Sequence, residues 1–170
     1  MSVVNLAKMF FMIMDILMNE DDNYIIAGNE IIAECTGFSV SYVLQLTPLF
    51  LKKTLTCLHK SYPVRLKGIY CTNTPKVFET VFNLGKTFMP AKLKNRMYLF
   101  SKSHANKLHT YVPQCDLPEE LGGNNGSVKD LTVEWKQKVE SYREWFLEDS
   151  RYGSNEKLRV DTSQKHCKIL

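Results

Sequence analysis

Three short runs rich in β-branched and aromatic residues, 24–35, 64–72 and 98–100, alternate along this chain with stretches of helical periodicity. No other feature constrains the fold as strongly. Strands that alternate with helices predict an α/β architecture with a mainly parallel sheet. A helix dense in Met, Leu, Ile and Phe is expected over 3–18, closed by the acidic turn Asn19-Glu20-Asp21-Asp22-Asn23. Residues 40–60 read as helical, with a break and restart at Pro48, since proline suits the first turn of a new helix. Pro75 starts a helix to about Thr87, and Pro90 a short basic one. A short helix is expected over 104–111, followed by an irregular segment with Pro113, Pro118 and the Gly122–Gly126 cluster. Over 128–148, Leu131, Trp135, Val139, Tyr142 and Phe146 recur at helical spacing and predict a last amphipathic helix. The 170 residues suffice for one domain, expected over 1–150, with a polar tail over 151–170.

Several function classes are excluded. The chain holds five cysteines, an odd number without a C-x-x-C pair, so a secreted disulfide framework is not expected and a reducing, cytoplasmic setting is. The apolar run Met9–Met14 is followed by Asp15 and by no small-x-small cleavage site, unlike a signal peptide. The longest uncharged span, Cys35–Leu51, is too polar for a membrane helix. There is no G-x-S-x-G, H-E-x-x-H, G-x-x-x-x-G-K or G-x-G-x-x-G. His59, His104, His109 and His166 are scattered, and the five-residue interval between His104 and His109 does not suit one helical face, so no zinc site is expected. Glu119-Glu120 reads as a solvated turn beside a diglycine. No catalytic constellation, metal site or cofactor motif emerges, and the chain is not expected to be an enzyme.

Two features rise above this background. The first is Pro75–Met89, where Val77, Phe78, Val81, Phe82, Leu84, Phe88 and Met89 recur at steps of three and four, opposite Lys76, Glu79, Thr80, Asn83 and Lys86. Such a helix either packs on a sheet or acts as a lid over a lipid cavity or on a bilayer surface. Gly85 weakens it by about 1 kcal/mol relative to Ala. The second feature is charge. Residues 61–110 hold nine basic and one acidic side chain, a sum of +8, whereas the segments on either side each sum to −2. Within a strand over 64–70, Arg65 and Lys67 share a face, and within a helix after Pro90, Lys92 and Arg96 do. Two such pairs either form an ordinary solvated surface or converge on one multiply charged anion, for which Arg and Lys are the suitable donors. Nucleic acid is disfavoured as that anion, because the aromatics follow the apolar helix face and do not interleave with the bases.

In this context Gly37-Phe38-Ser39, Leu46-Thr47-Pro48, Tyr62-Pro63-Val64-Arg65-Leu66-Lys67-Gly68-Ile69, Asn73-Thr74-Pro75, Phe78-Glu79-Thr80-Val81-Phe82, Lys92-Leu93-Lys94-Asn95-Arg96 and Leu117-Pro118-Glu119-Glu120-Leu121-Gly122-Gly123 stand in a telling order. In order and spacing the chain resembles the CRAL-TRIO lipid-binding domain family over about residues 5–150, in the branch of α-tocopherol transfer protein and cellular retinaldehyde-binding protein. The resemblance implies a three-layer α/β/α fold with a mainly parallel sheet. It further implies a non-enzymatic cytoplasmic carrier, reversibly membrane-associated, which moves a small hydrophobic ligand (tocopherol-like, retinoid-like or another lipid) between membranes. A mobile gate helix maps onto Pro75–Met89. Lipid-cavity positions map onto Leu46, Leu58, Tyr62, Leu66, Ile69, Phe78, Val81, Phe82 and Met89. Phosphatidylinositol bisphosphate-binding positions map onto Arg65, Lys67, Lys92 and Arg96, the four reached above from face geometry.

Some features depart from the family. Its D-x-x-G turn is Glu34-Cys35-Thr36-Gly37 here, and a cavity position holds small Ala33. Compared with family members, the chain is expected to lack the N-terminal helical domain and the first strand. An alternative reading follows, that of a ligand-free interaction or regulatory remnant of the same family. The C-terminal Cys167-Lys168-Ile169-Leu170 loosely fits a prenylation signal, with Leu170 favouring geranylgeranyl at Cys167.

Overall fold

The computed structural model describes residues 2–158. Helix α1 (Val3–Glu20) starts at Ser2, whose hydroxyl accepts from the Val4 amide, and runs two residues past its expected end. Residues 24–26, expected in the first strand, belong instead to a short helix, α2 (Asp22–Ile26). The Asp21 carboxylate caps it through the Asn23 amide, and this local cap outweighs the strand preference of Ile25-Ile26. Gly28, at φ +84°, turns the chain into β1 (Asn29–Glu34). A Cβ there would lie 2.7 Å from the Arg65 carbonyl oxygen, so this close approach of two segments requires glycine.

The region expected to be helical divides at its proline into α3 (Val40–Gln45) and α4 (Pro48–Thr56), the latter capped by Thr47, and ends in a π-helical turn, Cys57–Ser61. Strand β2 (Leu66–Thr72) follows, then α5 (Lys76–Lys86), α6 (Ala91–Lys94) and β3 (Met97–Leu99). Pro75 and Pro90 cap α5 and α6. The expected helix over 104–111 is a run of 3-10 turns, Lys102–Thr110, kinked at His104. The expected final helix is two: α7 (Val128–Ser141) and α8 (Arg143–Asp149), broken at Tyr142, whose hydroxyl donates to Glu20 at 2.7 Å.

The sheet is parallel throughout, in the order β1-β2-β3. Central β2 is buried along almost its whole length, as a strand covered on both faces must be. Two apolar clusters sandwich it. On one face Ile31, Ala33, Ile69, Cys71, Met97 and Leu99 pack with Phe10, Phe11 and Met14 of α1, and with Leu58, Phe78, Met89 and Leu93. On the other, Ile32, Tyr70, Tyr98 and Phe100 pack with Leu108, Val112, Leu117 and Leu121. Helix, sheet and irregular helical turns thus form three layers of an α/β fold. Among the described residues no helix is long and apolar enough to cross a membrane. Cys167 lies outside the described residues.

Candidate functional site

The basic positions meet only in part. A cleft of about 280 Å³ opens between the start of β2 and the α6 region. Arg65, Lys92 and Arg96 stand around it, Leu58, Leu66 and Leu93 form its floor, and none of its lining side chains is acidic. Among the described residues none of these three cations is in an ion pair. Lys67 does not line this cleft. At the start of β2 the pairing with β1 slips, Asn29 opposing Leu66 and Glu30 opposing Gly68, which leaves Lys67 without a partner. Its side chain runs past Gly28, with Cε 3.3 Å from where a Cβ would stand, as does Arg65 Cβ. The alternation argument for Arg65 and Lys67 therefore meets an irregular strand start. The helical argument for Lys92 and Arg96 meets a helix that ends at Lys94. Arg96 reaches the cleft because its guanidinium donates to the Leu66 carbonyl, which pins it across the mouth of β2.

His59, which sequence reasoning did not single out, also lines the cleft. It sits in the π-helical turn, where Nδ1 donates to the Leu55 carbonyl and leaves Nε2 free of that bond. Nothing in its spacing from Arg65 signals this, because a π-turn has no sequence period.

Of the positions that the resemblance assigns to a lipid cavity, Leu58 and Leu66 line the basic cleft. Leu58, Tyr62, Leu66, Ile69, Phe78 and Met89 pack in the apolar cluster beneath the sheet's α1 face. Val81 and Phe82 are buried on the inner side of α5, and Leu46 is half-buried beyond the end of α3. The Tyr62 hydroxyl donates to Asp15 at 2.7 Å, and burial raises the titration of both groups. Helix α5 lies packed down on this cluster with Lys76, Glu79, Thr80 and Asn83 outward. Lys86 folds back over the Phe82 ring at 4.4 Å.

Beside α5 a further surface appears that patterning did not reveal. Helices α3 and α4 both pack on α5, and the Phe38 ring meets Phe78 edge-on at 5.1 Å. On their outer side Val40, Leu44 and Leu49 project into solvent, Leu44 being 77% exposed, next to the exposed Lys52 and Lys53. Val40 and Leu44 share a face at one helical turn, and the partial amphipathicity of six residues is too short to read from sequence.

A CRAL/TRIO domain model matches residues 1–123, well over half of the chain. The chain belongs to the CRAL/TRIO family. Among curated relatives, the human alpha-tocopherol transfer protein-like is 30% identical over 128 residues, 75% of this chain and 36% of that protein. Its Mus musculus counterpart is 28% identical over 145 residues, 85% of this chain and 41% of that protein. Clavesin-1 of Xenopus laevis is 29% identical over 123 residues, 72% of this chain and 36% of that protein. The chain thus spans well under half the length of these relatives. The crystal structure of Sfh5 overlaps 66% of this chain and 43% of its own at 23% identity, with a TM-score of 0.46. Within this CRAL/TRIO chain, the basic cleft and the α5 region both fall inside the matched residues, whereas α7 and α8 lie beyond them.

Proposed function

We propose that the chain is a non-enzymatic lipid-binding and transfer module that docks on phosphoinositide-bearing membranes. One observation carries the reading: Arg65, Lys92 and Arg96 surround a single cleft without an acidic lining residue. The leucine floor of that cleft, Leu58, Leu66 and Leu93, is part of the core that α5 covers. A phosphorylated headgroup held by the three cations places the membrane at the edge of the apolar core. Arginine supplies forked donors to phosphate and lysine a point charge. On α3 and α4, the exposed Val40, Leu44 and Leu49 enter the interfacial region while Lys52 and Lys53 meet anionic lipid. Movement of α5 then exposes Phe78, Val81, Phe82 and Met89 to a hydrophobic cargo such as a tocopherol-like or retinoid-like molecule. The name of the alpha-tocopherol transfer protein-like relatives supports a lipid cargo, and the correspondence at Arg65, Lys92 and Arg96 supports the headgroup.

Flotation of the protein with phosphatidylcholine vesicles, with and without phosphatidylinositol bisphosphate, tests docking. Binding that requires the phosphoinositide and falls on replacing Arg65 and Lys92 with Ala is expected. Binding indifferent to both overturns the docking half. Native mass spectrometry tests the carrier half, for which a bound hydrophobic molecule is expected. A persistently empty chain favours the second reading, an interaction remnant of the family. That reading draws on the packing of the cavity positions against one another in the core.

A further inference from the structure

Helix α4 ends in a π-helical turn, Cys57–Ser61, and that turn carries His59, a wall of the basic cleft. The Tyr62 amide bonds back five residues, to the Cys57 carbonyl, at 3.3 Å. So wide a turn points the side chains around it away from their α-helical directions. Leu58 goes into the floor, and His59 stands half-buried beside it. Its Nδ1 donates to the Leu55 carbonyl, so in the neutral ring that nitrogen holds the single proton and Nε2 is a bare acceptor. Among the described residues Nε2 has no hydrogen-bond partner, and it is open to solvent.

An ionised phosphate oxygen also only accepts, so neutral His59 offers it nothing. Gain of a proton changes two things at once: Nε2 becomes a donor, and the ring becomes a further cation. The surrounding charges decide what triggers this. Facing the ring are Arg65 at the start of β2, Lys92 on α6 and Arg96 just after α6. Cys57 and Lys60 share its turn, and Lys52 lies on α4 one turn before Leu55. No carboxylate occurs from Cys35 to Phe78, nor from Thr80 to Cys115. Asp15 of α1 accepts from the Tyr62 hydroxyl and does not line the cleft. An imidazolium at His59 therefore has no counter-ion in the cleft until an anion enters. Anion binding and proton uptake are then coupled, each favouring the other. We propose that protonated His59 is a fourth ligand of the phosphoinositide headgroup, so that docking tightens as the pH falls from 8 to 6. This rests on the docking reading above and adds its regulation. Histidine ordinarily changes charge between pH 5 and pH 8, a range in which arginine and lysine stay charged.

Flotation of the full 170-residue protein with phosphatidylcholine vesicles, with and without phosphatidylinositol bisphosphate, is run at pH 8 and pH 6. His59→Asn keeps an amide N–H where Nδ1 stands, able to donate to the Leu55 carbonyl, and removes Nε2. His59→Lys carries its charge at both pH values. Phosphate monoesters take up protons near pH 6, so affinities are read as ratios of parent to variant, in which that effect cancels. Parent binding should match His59→Asn within about twofold at pH 8 and exceed it about fivefold at pH 6, the factor one cation supplies at an anionic surface. Against His59→Lys it should be about fivefold weaker at pH 8 and equal at pH 6. His104→Gln, at an exposed position outside the cleft, should keep the parent's response. Phosphoinositide-dependent binding with a parent-to-Asn ratio unchanged by pH overturns the role of His59 and leaves the docking reading standing. So does a flat parent-to-Lys ratio, since the response then lies elsewhere. Absence of phosphoinositide-dependent binding at both pH values overturns the docking reading, and the role of His59 with it.

Discussion

Lys92→Ala isolates the charge contribution of the basic cleft, because Lys92 is exposed and has no ion-pair partner among the described residues. Its removal should leave folding within about 0.5 kcal/mol of the parent. A cation close to an anionic membrane surface contributes about 1 kcal/mol, so docking on phosphatidylinositol bisphosphate vesicles should weaken about fivefold. Arg65→Ala should cost about the same, and the double variant somewhat less than the product, since both side chains serve one ligand. Lys67→Ala should cost less than twofold, because its side chain runs past Gly28 outside the cleft, with only the diffuse attraction left to lose. Arg96→Ala combines two effects: the lost cation, and a lost bond to the Leu66 carbonyl worth about 1 kcal/mol of stability. Co-sedimentation at 0.15 M and 1 M salt is the assay, since the screening length falls from about 8 Å to about 3 Å. Parent protein should lose most of its binding at high salt, and the double variant far less. Equal losses for Lys67→Ala and Lys92→Ala would refute the cleft geometry. Binding unaffected by salt would refute the charge argument itself.

Other consequences are equally direct. Leu44→Asp should leave stability unchanged, as the side chain is already in solvent, but weaken vesicle docking about tenfold by removing a leucine that otherwise enters the interface. A flotation assay checks it, and unchanged binding would remove α3 from the docking surface. Gly68→Ala should destabilise by about 1–3 kcal/mol, because a Cβ would stand 2.5 Å from the buried Tyr70 hydroxyl that donates to Glu30. A thermal melt should fall by several degrees. Gly85→Ala should instead raise helix stability by up to about 1 kcal/mol, since its Cβ meets Met89 and Leu55 at ordinary contact distances of 3.6 and 3.7 Å. If α5 is a gate, stopped-flow release of a bound fluorescent lipid should slow in that variant. Burial raises the Glu34 carboxyl, but hydrogen bonds from Thr36 and Asn73 outweigh it and hold its titration below the ordinary 4.5. Its stabilisation is therefore whole above that value and lost as the pH falls through the lowered one. Denaturant melts at pH 5 and pH 3 should show a smaller acid loss in Glu34→Gln than in the parent.

Local chemistry was legible where it is decided locally. Pro48, Pro75 and Pro90 each open a helix at or next to the expected residue, since proline fixes its own φ and lacks the amide that a first turn does not need. The inward side of α5 follows its period of three and four. Errors arose where a distant or nearby partner overrode the pattern. Tyr24–Ile26 reads as strand until the Asp21 cap is seen, and the 128–148 helix reads as continuous until Tyr142 is seen bonding to Glu20, 122 residues away in sequence.

The sequence by itself determined the alternation of elements, the parallel α/β class, the amphipathic α5, the +8 charge of residues 61–110 and the family motifs. These depend on propensity, period and composition, all properties of neighbouring residues. Only the tertiary structure decided that Arg65, Lys92 and Arg96 meet while Lys67 does not, and that His59 joins them. It alone decided that Val40, Leu44 and Leu49 stand in solvent and that α1 and α7 leave a largely apolar groove between them. Side-chain direction at a slipped strand start, past a helix end or in a π-turn follows no period. The space between two helices depends on the contacts that pin their ends, here Glu120 with Val128 and Glu20 with Lys138, which no local pattern encodes.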